Sequence, residues 1–535
     1  KYKEHVMSPS QRFQQVNLRR EFLRSVGQGM LVAGLGFSTA FDLGLSPALG
    51  DEDAQPINFG SSEALVRLMQ DTTAEQLLPT LNDKLNAGTK LRELVAAAAL
   101  ANARTFGGED YIGFHTMMAL VPSFQMSQRL PSAEQAMPVF KVLYRNSTRI
   151  QEHGGHASEK MHHIAVASES NSSPNGQQLL ELVRSKNLAA AEQLFAQIVN
   201  SAPTQPDHAF NELLFTVQDH TEVHRIALPY RAWDLIDIVG VENAHTMLRQ
   251  SVRYCVKAES PNYTQHCKGG RNILPKLIDD YKLLSQPLGT SPVEDSWILS
   301  ISRQLFSTTP TGAAELVAAA LSEGIDPSAV AEAISLAANQ LVLRDAGRPE
   351  KQTSAGKPVG SVHGDSIGVH ASDSANAWRN MAAVSNQRNT IACLILAGHQ
   401  VAYDRTSRGG DFLNWEPYPT PAHQQRIDTN APKKLLAMAE SAIRNNDQAA
   451  ACAAIAKYGQ LGHAENGVFN LLLRFAISED GALHAEKYFQ TVADDFANTR
   501  KTLRWRHILG LARVTASEYG QKAPGYQQAK ELLGV

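Results

Sequence analysis

Four histidines stand at matching places along the chain: His115, His224, His370 and His484. Imidazole can hold a transition metal or move a proton near neutral pH, so such a recurrence points first to metal or acid–base chemistry. Each histidine is expected to open a helix that is followed by a turn and another helix. The second helices are expected near Ser132-Ala133-Glu134, Glu242-Asn243, Gln387-Arg388 and Thr499-Arg500, 15 to 18 residues further on. That spacing suits one helix and a short connection. If the four converge they form an all-nitrogen site, which iron, zinc and copper all accept. His220, His363 and His399 are further candidate ligands. His220 and His224 are four residues apart, so a continuous helix would put both on one face. Asp219, Glu222 and Asp365 are the carboxylates placed to complete such a site, with Glu222 and Asp365 the candidate catalytic acid/base pair. The structural alternative is that repeat ancestry alone keeps a histidine at each helix start, where it caps orphan N–H groups or fills a polar gap.

Other chemistry is excluded or demoted. His153, His156, His162 and His163 flank Gly154-Gly155 and read as an exposed loop, while His423, His463 and His507 read as structural or surface residues. Ala355-Gly356-Lys357-Pro358 lacks the earlier glycine and the following Ser/Thr of a phosphate-binding loop. No HExxH or GxGxxG pattern occurs. The four cysteines, Cys255, Cys267, Cys393 and Cys452, form no CxxC pair, which argues against thiolate zinc and iron–sulfur sites. Cys255 and Cys267 are near enough in sequence to bridge in an oxidising compartment, or to remain two thiols.

The elements that must position the histidines are helices. Leu179–Leu182 and Ala189–Phe195 form a hairpin broken at Lys186-Asn187, and Leu435–Met438 with Ala449–Ala451 form another broken at Asn445-Asn446-Asp447. The first leads to Phe210-Asn211-Glu212-Leu213-Leu214 and the second to Phe469-Asn470-Leu471-Leu472-Leu473. His224 and His484 follow those phenylalanines by 14 and 15 residues. Matching order and spacing indicate duplication. The stretches around His115 and His370 fit the same plan less closely. We therefore expect an all-α helical-repeat array, an α-solenoid or α-toroid, of about four quasi-equivalent units. The units are 51–167, 168–290, 291–432 and 433–535, the third carrying long loops at 345–369 and 404–432 that are candidate lids.

Lys and Arg number 50 against 53 for Asp and Glu, a net charge of −3 that gives no reason to expect nucleic acid. Asn17-Leu18-Arg19-Arg20-Glu21-Phe22-Leu23-Arg24 resembles a twin-arginine export motif, and the Gly/Ala-rich apolar run Val26–Phe41 is too short for a confident membrane span. Residues 1–50 are expected to be a targeting segment, and the protein to be periplasmic or otherwise extracytoplasmic and not integral to a membrane.

His224-Arg225-Ile226-Ala227, His484-Ala485-Glu486-Lys487 and His370-Ala371-Ser372-Asp373-Ser374-Ala375-Asn376-Ala377 resemble the questin oxidase-like family. The resemblance covers scattered patches between about residues 90 and 515. It implies a mostly helical oxidoreductase with histidines in its active site. Together these readings give two expectations. One is an exported metalloprotein, iron its most favoured metal, oxidising a small organic molecule. The other is a non-catalytic helical scaffold that binds a protein partner in an exported assembly.

Overall fold

Two short breaks show how locally the chain is punctuated. Helices Gly176–Arg184 and Leu188–Ser201 are separated by Lys186 at φ 58°, and helices Pro432–Arg444 and Gln448–Gln460 by Asn446 at φ 55°. A left-handed residue ends each first helix. The next residue then caps the second: the Asn187 side chain accepts from the Ala190 amide (3.2 Å) and that of Asp447 from the Ala450 amide (2.9 Å). Identical turn chemistry at equivalent places supports the duplication read from the sequence.

The computed structural model describes residues 55–166, 173–259, 261–407 and 409–535, without the side chains of 261–268. The export motif and its apolar run lie outside the described residues, as does the start of the linker after residue 167. The described chain is all-α; its β-structure is confined to isolated bridges such as Pro56–His162 and Glu479–Lys522. No described helix is long and apolar enough to cross a membrane.

Four helix triplets position the histidines. The first is α1 (Leu91–Phe106), α2 (Tyr111–Ser127) and α3 (Ala136–His153). The second is α4 (Pro206–Val217), α5 (Val223–Val239) and α6 (Ala244–Ala258). The third is α7 (Pro327–Arg344), α8 (Ile367–Val384) and α9 (Gln387–Ser407). The last is α10 (Asn466–Ser478), α11 (His484–Asn498) and α12 (Trp505–Glu518). The middle helix of each triplet carries the repeated histidine in its first turns.

These middle helices pack in cyclic order: α2 on α5, α5 on α8, α8 on α11, and α11 back on α2. The first and last units therefore meet and the array closes. The middle helices are buried almost all round; α5 hides every residue from His224 to Ile236 and α8 every residue from Ile367 to Trp378. A helix that is apolar on only one face cannot occupy such a position.

A buried ion pair joins the two ends of the ring. Lys141 on α3 sits 2.7 Å from Glu486 on α11, with 1% and 0% of their side chains exposed. Lys141 also donates to the carbonyls of Ala476 (2.7 Å) and Glu479 (2.6 Å), all in the last unit. Removing one partner of such a pair strands a charge in a low-dielectric interior. Lys141→Met should cost about 3–5 kcal/mol in urea denaturation, and adding Glu486→Leu should recover more than half of that loss.

Candidate metal centre

Closure of the ring brings the repeated histidines to one pole, where the N-termini of the four middle helices meet. The His115 and His224 rings lie 5.5 Å apart between centroids, and those of His115 and His484 6.1 Å apart. His370, 3% exposed, is close enough to His484 to disfavour its protonation. His115, His224 and His484 are only 5%, 8% and 6% exposed.

The local sequence orients each ring. His115 presents Nδ1 to the Tyr111 carbonyl one turn back on α2. Asp110 caps that helix by accepting from the Gly113 amide (2.6 Å) and is itself gripped by Arg149. Glu222 caps α5, accepting from the amides of His224 and Arg225 (both 3.0 Å), from His224 Nδ1 (2.6 Å) and from the Tyr254 hydroxyl (2.8 Å). His484 donates from Nδ1 to the Gly481 carbonyl (3.0 Å) across a left-handed turn. Gly481, Ala482 and Leu483 take φ values of 47°, 47° and 69° there. Two non-glycine residues in that region store about 2–4 kcal/mol.

These bonds decide the tautomers. A carbonyl only accepts, so Nδ1 carries the proton in His115 and His484. Burial would raise the pKa of Glu222, but the charge and hydrogen bonds of His224, with the bond from Tyr254, outweigh it and hold the carboxyl at about 2. It too only accepts, so His224 carries a proton on Nδ1. Burial, the Lys487 charge and neighbouring histidines push His115 and His484 well below the usual imidazole pKa, so both are neutral. Their Nε2 atoms are bare lone pairs. Nε2 of His115, His224 and His484 is in each case buried without a hydrogen-bond partner.

Burying a polar atom without a partner costs free energy, and metal-binding histidines have this very arrangement, with the second nitrogen donating to a carbonyl or carboxylate. Two imidazoles bound through Nε2 to one tetrahedral ion have ring centroids about 5.2 Å apart, for metal–nitrogen bonds of about 2.1 Å. The observed 5.5 and 6.1 Å are wider than this, and among the described residues only Asp219, His220 and Glu259 bring three ligand atoms within 4.8 Å of one another, so the three rings would have to close up to share an ion.

Beneath the histidines lies a buried charged layer that the sequence reading missed. Lys487 and Asp373 each follow a repeated histidine by three residues, and Arg231 pairs with Asp234 (3.0 Å) deeper in the bundle. Burial lowers the Lys487 pKa well below the usual ammonium value and raises Asp373 to about 7. The three-residue spacing after a repeated histidine was the available signal.

The other expected site residues go elsewhere. His220 precedes α5, which begins at Val223, so it does not share a helical face with His224. It joins Asp219 and Glu259 in a buried group whose ligand atoms lie within 4.8 Å of one another and which could hold a metal ion. Arg184 and Arg271 already grip Asp219, and Arg225 and Arg271 grip Glu259. An ion would enter there only in competition with three guanidinium groups. The histidine pole has a cation of its own, Lys487, whose charge bears on His115 and His484.

His363 spends Nε2 on the Ser517 carbonyl (3.1 Å). Asp365 is clamped by Arg348 (2.6 Å) and Lys357 (2.7 Å), which outweigh burial and keep it ionised. It pins the 345–369 loop and is not placed as an acid or base; Glu222 likewise orients His224 and caps α5. His399 is buried under the end of α9, stacked near Tyr403 at 6.4 Å. Cys255, Cys393 and Cys452 are free and buried. The side chain of Cys267, and with it the expected bridge, lies outside the described residues. His156 is exposed and His162 partly so, while His153 is the last residue of α3, so the expected surface loop starts only at Gly154.

The 345–369 loop covers the His484 side of the pole. A Cβ at Gly364 would fall 2.1 Å from Cβ of His484, so only glycine allows this approach. The Gly364 amide donates to Glu518 (2.7 Å), whose pKa burial raises to about 7. A carboxyl with a raised folded-state pKa binds its proton more tightly when folded, so its contribution is complete below about pH 4.5 and is lost as pH rises through 7. Glu518→Gln should therefore melt higher than the parent at pH 8, by up to about 3 kcal/mol, with the gap closing by pH 5. Comparison with protein-family models, curated proteins and solved structures returns no match to this chain.

Proposed function

We propose that the protein is a metal-dependent enzyme acting on a small organic molecule at the histidine pole. Nε2 of His115, His224 and His484 would hold the ion, with His370 beside them. The observation that carries this reading is the set of three buried Nε2 atoms without partners, each on a ring whose Nδ1 is already pinned. Three histidines with an open fourth position is a catalytic ligand set; structural sites use four protein ligands. The ion would supply Lewis acidity or, for iron or copper, redox chemistry. The chain's own part is to orient three imidazoles, keep two of them neutral, and cover the site with the 345–369 loop.

Iron and oxidation of the substrate rest on the resemblance to the questin oxidase-like family, since the donors accept zinc and copper equally. Export by the twin-arginine route, which carries folded and cofactor-loaded proteins, rests on residues 17–24 and suits a metal loaded before translocation.

Elemental analysis of natively purified full-length protein tests the reading. About one ion per chain is expected, lost in His224→Ala and retained in His220→Ala. Loss in His220→Ala alone would move the ion to the Asp219–Glu259 group. No metal in the parent would overturn the enzyme reading and favour the protein-binding scaffold.

A further inference from the structure

We infer that Asp219, His220 and Glu259 form a divalent-cation site that Arg271 keeps closed, so that an ion and the Arg271 guanidinium compete for one position. The inference does not depend on the histidine pole.

The three ligands come from the ends of two packed helices. Asp219 and His220 follow α4, which ends at Val217, and Glu259 follows α6, which ends at Ala258. Both helices therefore point their C-termini toward the group, and the negative end of a helix dipole favours a cation. All three side chains are buried, and one atom from each lies within 4.8 Å of the others. An imidazole and two carboxylates so placed can share a single ion.

Arg271 already fills that position. Its Nη2 lies 2.5 Å from His220 Nε2, 2.5 Å from Asp219 Oδ2 and 3.1 Å from Glu259 Oε1. One cationic nitrogen thus touches all three ligand atoms. Nη2 only donates, so His220 accepts through Nε2, the lone pair that a metal would take. Burial lowers the His220 pKa against the pull of Glu259, which keeps the ring neutral. The other two guanidinium groups stand differently. Arg184 holds Asp219 from the rim, and Arg225 holds Glu259 while donating to the Thr216 carbonyl (2.8 Å).

The closing side chain comes from a third element, the helix Pro261–Asp280, which packs on α9. Two glycines permit its close approach: a Cβ on Gly269 would fall 3.1 Å from His399 Nε2, and one on Gly270 3.3 Å from Thr221 Cγ2. The Arg271 side chain is 21% exposed, so it can turn outward while the helix stays in place. Exchanging a guanidinium for a divalent ion adds one positive charge. Arg184, 39% exposed, can offset it by turning toward water, whereas the fully buried Arg225 remains. In either state the two carboxylates keep a cation between them, so neither is stranded in the interior.

Full-length parent, Arg271→Ala and Arg271→Ala/His220→Ala are stripped with a chelator and titrated with zinc against a chromophoric zinc chelator. The histidine pole is common to all three proteins, so any zinc it binds cancels in the comparison. Arg271→Ala should bind one zinc beyond what the parent holds at the same concentration. The parent should need at least about tenfold more zinc to take that ion, because the charge-assisted bonds to Arg271 must break first. His220→Ala in the same chain should remove the added site. Guanidinium ion, kept below denaturing concentration, should displace the added zinc from Arg271→Ala by refilling the position, and sodium chloride at equal ionic strength should not. Arg271→Met keeps the apolar stem of the side chain and serves as the second variant if the alanine protein does not fold.

No added zinc in a folded Arg271 variant would overturn the inference. So would added zinc that survives His220→Ala. Equal zinc affinity in parent and variant, or displacement by sodium chloride as readily as by guanidinium, would overturn the competition for one position.

Discussion

The ion pair between Lys141 and Glu486 carries the architecture, because it is made between the first unit and the last. A helical array with free ends would leave the repeated histidines spread along a concave face. The pair ties α3 to α11 where α11 packs back on α2, which closes the middle helices into a ring and gathers their first turns at one pole. The position of the pair matters as much as its strength. Glu486 lies two residues after His484, and the Lys141 ammonium also binds the carbonyls of Ala476 and Glu479, on either side of the turn into α11. The contact that closes the ring thus also sets the entry of the helix that bears a candidate ligand. Buried ion pairs contribute little net stability but specify geometry well when every donor is used, and here the ammonium has three partners.

The same economy governs the histidines. Each ring is oriented by a group already needed for helix geometry: a carbonyl one turn back for His115, the N-cap carboxylate for His224, and a carbonyl in a strained left-handed turn for His484. The strain at Ala482 and Leu483 has a clear consequence. A regular helix start would carry the Gly481 carbonyl along the helix axis, whereas the left-handed turn brings it beside Nδ1 of His484. Backbone strain held beside a buried, otherwise unpartnered ring belongs with sites that bind something.

Much of this was legible in the sequence, for identifiable reasons. The all-α class follows from helical spacing of apolar residues, and the hairpin breaks at Lys186-Asn187 and Asn445–Asp447 fall where the structure has them because turn chemistry is local. The four repeated histidines were also legible, since each sits at a fixed place in its unit. What needed the structure was anything set by distance in space. Whether the array closes depends on α11 packing back on α2 and on Lys141 meeting Glu486, 345 residues later in the chain, and no periodicity reports that. The pairing of His220 with His224 failed for a local reason: the chain turns at residues 220–222, and α5 starts too late to include both. Asp365 reads as a free carboxylate in sequence because Arg348 and Lys357 are brought to it only by the fold of the loop.

The two histidine-containing clusters show why ligand identity alone does not define a metal site. Asp219, His220 and Glu259 are the tighter group, and two carboxylates with an imidazole form a familiar donor set. Yet each carboxylate is already bonded to guanidinium, so the negative charge that would attract an ion is spent on Arg184, Arg225 and Arg271. The pole is looser, but its Nε2 atoms are buried without hydrogen-bond partners. Two of those rings resist protonation because burial and Lys487 oppose a positive charge on them. A proton is therefore a poor occupant of that space. An ion bonded directly to nitrogen would recover more there than a proton can, because a proton brings a charge that burial and Lys487 oppose.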